Sequence, residues 1–406
     1  MIPLDEARAR VLGACRPLPA REVALDDALG CVTAAAVVAG EAVPPFPNTA
    51  MDGYAVQAAD TAGATPDRPV KLRVTGTLAA GAPADRPVGG GEALRIMTGA
   101  PFPPGADAVV IVEVTEVADG GRSVLIRQPA RAGEHVRPAG EDIAAGQEVF
   151  AAGTVLTPGH LGVLASIGRV TVLVVARARV GVLSTGDELV EGSVALRPGQ
   201  IRDSNRHTLL ALVRQSGLEA VDLGVVGDDE VAIRQVIERG LAGCDALLTS
   251  GGVSMGEFDY VKKVLDEVGD MAWMQVAIRP AKPLAFGVVA GKPVFGLPGN
   301  PVSSMVSFEL FARPALRQMM GYPPTLLDRP RVRAIADEPL ARKPDGKLHL
   351  ARVSVNYGGD GAYHVRSSGG QASNLLRAMA LANGLALVPD GEGVAAGGEL
   401  EVLLLS

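Results

Sequence analysis

Aromatic residues are the first shortage. Phe, Trp and Tyr make up 3% of 406 residues, with a single tryptophan. Hydrophobic residues still reach 48%, so the cores must be built from Ala, Val, Leu and Ile. Cysteine is equally scarce. Cys15, Cys31 and Cys244 are odd in number, far apart and form no Cys-x-x-Cys pair. That argues against a disulfide framework or a structural zinc site and makes a reducing compartment the default. The five histidines are dispersed and none stands near a Gly-x-Ser-x-Gly, so covalent catalysis by a Ser-His-Asp set is disfavoured. Excess positive charge is also missing. With 38 basic and 45 acidic residues the net charge is −7, which argues against a nucleic-acid protein held by bulk electrostatics. An anionic small ligand stays open, because local charge decides that. No segment holds 18 uninterrupted apolar residues, so none is expected to span a membrane. The N-terminal MIPLDEARARVLGACRPL carries Asp5 and Glu6 and lacks the apolar core of a signal peptide.

At about 150 residues per domain, the length suggests two to four domains. Leu4, Ala7, Val11 and Leu12 suit one face of a first helix, stopped by Pro17. Residues 45–136 alternate turn signals with short β-branched runs such as VKLRVTG, ALRIMTG and DAVVIVEVTEV, and read as a β-rich domain. Residues 137–175 return to the region of the first helix, with a further helix capped at Thr157-Pro158. Between 176 and 324 the pattern changes: VGVLST, AVDLGVV, ALLTS and KPVFGLP read as strands alternating with amphipathic helices. That alternation predicts a mostly parallel sheet covered on both faces. The remainder, 325–406, returns to short strands (RVRAIAD, LHLARVSV, ALVPD, ELEVLLL) and predicts a compact β domain.

In open α/β sheets, ligands bind beyond the C-terminal strand ends. Three unusual loops fall there: STGDEL (184–189), SGGVSMGEFD (250–259) and LPGNPVSS (297–304). The second has the Gly251–Gly256 spacing of a phosphate-binding P-loop, but Glu257 and Phe258 stand where Lys and Ser/Thr are needed. What remains is a bare backbone cradle with Ser250, Gly252 and Ser254. Its Asp259 fits either a metal ligand or a plain helix cap. LPGNPVSS fits two readings as well. It is either a well-capped helix or an anion site built from the first-turn N–H groups and the hydroxyls of Ser303 and Ser304. RPAKP (279–283) holds Arg279 and Lys282 on a stiff segment suited to phosphate or an oxyanion. Acids converge on the same rim: Asp187, Glu188, Asp228, Asp229, Glu257 and Asp259. Such a group suits Mg²⁺, which takes one or two carboxylates plus ligand phosphates. In the β-rich region, MDGYAV puts Asp52 on an Asp-Gly turn, and MTGAP puts Thr98 at a strand end. GEDI offers Glu141 and Asp142 on another turn.

In this order, NTAMDGYAV, RIMTGAPFPPGADAVV, GEDI, STGDEL, IRDSN, TSGGVSMGEFDYV, AIRPAKPLAFG, GLPGNPVSS and SGGQASNLLRAMALANGL resemble the molybdopterin molybdenumtransferases, that is, the MoeA proteins and the gephyrin E domain. The resemblance runs over essentially the whole chain. It implies a multidomain protein: a MogA-like doubly wound α/β domain at 176–324, a β-rich domain at 45–136, a helical linker domain from 1–44 with 137–175, and a barrel-like β domain at 325–406. It further implies a cytoplasmic homodimer with its active site in a cleft between subunits. The implied reaction inserts molybdate into adenylylated molybdopterin with Mg²⁺ present and releases AMP. Asp52, Thr98, Asp142 and Glu188 would be catalytic. Glu188, Asp228 and Asp259 would shape the metal region. Ser250, Gly251, Gly252, Ser254, Arg279, Lys282, Pro298, Asn300, Pro301 and Ser303 would bind substrate. A MogA-like adenylyltransferase and molybdoenzymes or their chaperones are implied partners. Two other activities fit the same family: adenylylation of molybdopterin by the α/β domain alone, and a non-enzymatic scaffold. The chain departs from the family pattern at Thr49, where Ser is usual, and at Arg279 and Ala281, where KPGKP has Lys and Gly.

Overall fold

The computed structural model describes residues 1–251 and 260–405. Its centre is a six-stranded sheet. In spatial order the strands are Glu219–Val226, Arg179–Thr185, Ala246–Ser250, Lys292–Leu297, Pro283–Val289 and Asp270–Gln275. The first four run parallel, and Pro283–Val289 is antiparallel to both its neighbours. Ala246–Ser250 is buried at every position, which is why it reads as an unbroken apolar run rather than an alternation.

Helices cover both faces. Glu230–Gly243 buries Ile233, Val236 and Ile237, and Tyr260–Val268 buries Val261, Val264 and Leu265. Both stripes have the i, i+3, i+4 spacing of one helix face, and they form one core with Leu183, Leu247 and Val294. Each fully buried aliphatic side chain of this kind contributes about 1.5–3 kcal/mol. The opposite face is covered by Asn205–Gln215 and by a long helical run from Pro301 to Met319. The N-terminal helix Leu4–Ala14 lays Ala7 and Val11 into that second core, which extends to Leu350, Leu385 and Leu403 of the C-terminal region.

The long helical run contains a π turn at Phe308–Ala312. Such a turn loosens the backbone ladder, and here the Leu310 carbonyl accepts from Arg8 Nη1. Arg8 also pairs with Asp328 at 2.8 Å. In the same turn the buried Glu309 holds Arg329 through two 3.0 Å bonds. The first helix, the α/β domain and the strap leading to the C-terminal domain are thus tied at one place.

The C-terminal domain is a closed five-stranded barrel of Leu348–Tyr357, Tyr363–Ser367, Arg331–Ala336, Glu399–Leu404 and Gly384–Val388. A short pair, Ile278–Arg279, leaves the α/β domain and adds to it in parallel with Leu348–His349. The β-rich region forms a six-stranded sheet from Gly53–Val56 to Ser123–Ile126. It is inserted between paired segments: Asn48–Thr49 with Val136–Arg137, Val37–Val38 with Glu148–Phe150, and Ala20–Ala24 with Thr171–Val175. Among the strands the sequence pattern does not reveal are Asp270–Gln275 and Tyr363–Ser367. The first is an edge strand with mixed exposure, so polar and apolar residues do not separate cleanly along it. All three cysteines are free and buried. Among the described residues no helix is long and apolar enough to cross a membrane.

Candidate active site

Thr185, Ser250 and Leu297 end three neighbouring parallel strands, with Ser184 opposite Ser250 and Ser250 opposite Leu297. Beyond them lies a pocket of about 300 Å³. Its wall carries hydroxyls and amides: Ser184, Thr185, Ser204, Asn205, Ser250, Asn300 and Asn374, with Glu188 and Asp203. Gly251 holds φ +98°, and a Cβ there would stand 2.9 Å from the Thr185 carbonyl oxygen. Only glycine lets the chain turn this close to the neighbouring strand end.

The buried Asp203 organises the pocket floor. It accepts from Ser184 Oγ at 3.1 Å, from the Arg206 backbone N–H at 3.2 Å and from Arg206 Nε at 3.0 Å. Arg206 also pairs with Asp222 and Glu191, so the buried charges are matched. Asn205 donates from Nδ2 to Ser250 Oγ and to the Gly299 carbonyl, both at 2.7 Å. One side chain therefore joins the IRDSN, TSGG and LPGNP loops.

Pro298 is buried, and Asn300 and Pro301 occupy the N-cap and N1 positions of the helix Pro301–Ser307. The first turn offers fewer free donors than its sequence suggests. Pro301 has no N–H, that of Val302 goes to the Ser373 carbonyl at 3.1 Å, and that of Ser304 goes to Asn300 at 2.9 Å. Ser303 is buried next to them.

The acids separate into two groups. Glu188 is exposed and lines the pocket. Asp228 and Asp187 face one another across two loops. Asp187 Oδ1 accepts the Asp228 N–H at 2.9 Å, and Asp228 Oδ2 accepts the Asp187 N–H at 3.5 Å. Asp229 is a plain N-cap, accepting from Ala232 N at 2.7 Å. Gly252, Ser254, Glu257 and Asp259 lie outside the described residues. No group of three metal-ligating side chains occurs among the described residues.

Arg279 is not on this pocket. It lines a second cavity of about 470 Å³ between its own segment and the barrel, with Arg342, Lys343, His349 and Arg352. No carboxylate lines that cavity among the described residues. Arg352 is fully buried and donates from Nη2 to the carbonyls of Gly370 and Ala372 at 2.8 and 3.2 Å. Burial lowers its pKa. Asp345 stands behind the cavity, 2.7 Å from Arg342 and 3.7 Å from Arg279. Its hydrogen bonds from Lys347 and His349 hold its carboxyl far below the usual carboxylate range. Burial lowers the His349 pKa more than Asp345 raises it. Lys282 is exposed nearby in sequence and lines neither cavity. Of the expected substrate-binding residues, Ser250 and Arg279 thus line separate cavities and Lys282 lines neither.

In the β-rich domain, Asp52 and Thr98 meet. The Thr98 N–H and hydroxyl both donate to Asp52 Oδ1 at 2.7 Å. The backbone bond is the larger cause, with the hydroxyl bond next, of an Asp52 pKa below its ordinary value. Both residues are exposed. Thr49 closes the preceding turn, donating to the Met51 carbonyl at 2.7 Å and accepting from Met51 N at 3.2 Å. A serine hydroxyl would make the same bonds, so Thr49 is a tolerated departure. Asp142 is exposed on its turn, with its N–H donated to the Val43 carbonyl at 3.0 Å. No residue of the β-rich domain lines either cavity. Asn205, Asp203, Asn374, Arg342 and Arg352 were not singled out from the sequence. The first three lie inside the IRDSN and SGGQASNLL motifs, which was their only signal.

This architecture is that of a multidomain α/β enzyme with a strand-end pocket. Three family models match in order: the MoeA N-terminal region (domains I and II) over residues 2–168, a probable molybdopterin binding domain over 181–318, and the MoeA C-terminal region (domain IV) over 333–405. Molybdopterin molybdenumtransferase 2 of Mycobacterium tuberculosis is 44% identical, over 97% of this chain and 96% of its own. Molybdopterin molybdenumtransferase of Haemophilus influenzae is 36% identical, over 98% and 97%. Two crystal structures of the molybdopterin biosynthesis MoeA protein from Pyrococcus horikoshii superpose with a TM-score of 0.81 each. They are 31% and 28% identical, cover 100% of this chain, and are themselves covered over 99% and 100%. The chain belongs to the molybdopterin molybdenumtransferase family, enzymes of molybdenum cofactor biosynthesis.

Proposed function

We propose that this chain inserts molybdate into adenylylated molybdopterin and releases AMP, working as a cytoplasmic homodimer. The observation that carries the reading is the hydroxyl- and amide-lined pocket at the strand ends, with a cation-lined cavity where the Arg279 segment meets the C-terminal barrel. Hydroxyl and amide donors suit the oxygens of a pyrophosphate. Guanidinium groups in a cavity without carboxylates suit a doubly charged tetrahedral oxyanion such as molybdate. Ser250, Gly251 and Asn300 would hold the pyrophosphate, and Arg279 with Arg352 would collect molybdate. Asp52, oriented by Thr98, would act from the partner subunit, since no residue of its own β-rich domain reaches the pocket wall.

Mg²⁺ fits the donor set. Glu188 is exposed at the pocket, while Asp228, on the neighbouring loop pair with Asp187 and off the pocket wall, keeps one oxygen outside that bond. Both are hard oxygen donors, and phosphates complete such sites. Bound there, the ion would offset charge on the cleaved phosphoanhydride.

The test uses purified protein, adenylylated molybdopterin and molybdate. AMP should appear in step with molybdate uptake. Asp52→Ala should lower that rate by about 100-fold or more with an unchanged melting temperature, because the side chain is exposed. Mixed Asp52→Ala and Glu188→Ala protomers should recover up to about a quarter of wild-type activity, since half of the dimers would carry one intact site. No recovery would refute a site shared between subunits. ATP-dependent adenylylation of molybdopterin in place of AMP release would point to an adenylyltransferase instead.

A further inference from the structure

Asn205 joins three pocket loops through one side chain. Its Nδ2 lies 2.7 Å from the Gly299 carbonyl oxygen and 2.7 Å from Ser250 Oγ. A carbonyl oxygen only accepts, so the Asn205 atom facing it must be the nitrogen. The same nitrogen then donates to Ser250, and Ser250 Oγ is an acceptor in that bond. Its own proton must point elsewhere. Among the described residues no acceptor receives it. Ser250 is 3% exposed at the end of its strand and lines the pocket.

The amide cannot rotate to the other arrangement without cost. Turning it over would set Asn205 Oδ1 against the Gly299 carbonyl oxygen, acceptor against acceptor in a half-buried place. The backbone beneath is also fixed, because Asp203 accepts the next N–H, that of Arg206, at 3.2 Å. Asn205 is therefore held on one side by a backbone carbonyl and on the other by a hydroxyl whose polarity it sets.

We infer that Asn205 is a positioning residue that makes Ser250 a dedicated hydrogen-bond donor to the ligand, so that this pocket takes a phosphate or pyrophosphate oxygen there and rejects a donor group. The inference deepens the proposed function and rests on it for the identity of the ligand. The hydrogen-bond polarity stands on geometry alone. A site that must donate discriminates strongly against a group that cannot accept.

The test is a double-mutant cycle in the full-length protein, read by binding of inorganic pyrophosphate and, separately, by the KM for adenylylated molybdopterin. Asn205→Ala and Ser250→Ala should each weaken pyrophosphate binding about three- to tenfold. The double variant should be no weaker than the worse single one. Asn205→Asp should weaken it further, by about tenfold or more, because the carboxylate draws the Ser250 proton inward and adds negative charge. KM should rise in all variants while kcat at saturation changes less than threefold, and melting temperatures should stay within a few degrees. Independent, multiplying effects of the two alanine variants would overturn the inference. So would wild-type-like binding by Asn205→Asp, or no pyrophosphate binding by the wild type. Coupled pyrophosphate effects without any molybdate insertion would leave the Asn205–Ser250 pair standing and remove only the proposed reaction.

Discussion

The two cavities, one at the strand ends of the α/β domain and one where the Arg279 segment meets the C-terminal barrel, are built from opposite chemistry. The strand-end pocket is walled by hydroxyls, amides and two acids, and its one lining cation is Arg202 among the described residues. The barrel-side cavity is walled by Arg279, Arg342, Lys343 and Arg352, with no acid on its wall among the described residues and Asp345 behind it. A donor-rich wall with a single lining cation recognises an oxygen by geometry. A guanidinium wall recognises charge and planarity. An enzyme that joins a phosphorylated ligand to a free oxyanion benefits from keeping these apart, because a single mixed site would let each anion compete for the other's place.

The largest effect expected from perturbing this division is at Arg352. Arg352→Met leaves the Gly370 and Ala372 carbonyls without their donor, and should cost about 2–4 kcal/mol of stability, read as a shift of the urea midpoint at constant slope. Next is a crossed pair. Arg279→Ala should raise the molybdate concentration for half-maximal rate about tenfold, or about 1.4 kcal/mol, and leave pyrophosphate binding alone. Glu188→Gln should raise the Mg²⁺ requirement by about three- to tenfold and leave the molybdate dependence alone. Should both variants move the same constant, the two cavities act as one site. The smallest effect is at Ala281, which is buried with φ +73°. That left-handed backbone costs an L-residue about 1–2 kcal/mol. Ala281→Gly should therefore raise stability by about 0.5–1 kcal/mol, seen as a higher melting temperature.

Ala281 also shows what could be read in the sequence. The family segment has glycine there, and the observed φ supplies the physical reason. The parallel strands were legible because full burial makes unbroken runs such as ALLTS. Helix faces were legible from their spacing, as at Ile233, Val236 and Ile237. The Asp52–Thr98 pair was named as two separate cleft residues. That Thr98 gives both its donors to one oxygen is long-range geometry, which no local pattern carries. Arg352 sits inside LHLARVSV, which reads as an ordinary alternating strand, and nothing local marks its single arginine as fully buried. Arg279 joins Ser250 as a substrate-binding residue only through the family resemblance, not through any local pattern. The pairing of Ile278–Arg279 with the barrel strand draws it away, and that pairing joins residues 70 positions apart.

The β-rich domain hangs from the rest of the chain by both its ends. Those ends run side by side through three successive antiparallel pairs. A single strand would be a swivel. Two paired strands are a strap hinge, which folds about one axis and resists twisting. Asp52 lies three residues beyond the last paired position, Thr49, so it travels on a short arm along one arc. If Asp52 acts as proposed, its carboxylate would approach or withdraw along that one path rather than wander sideways, and its loop need not be rigid for its path to be.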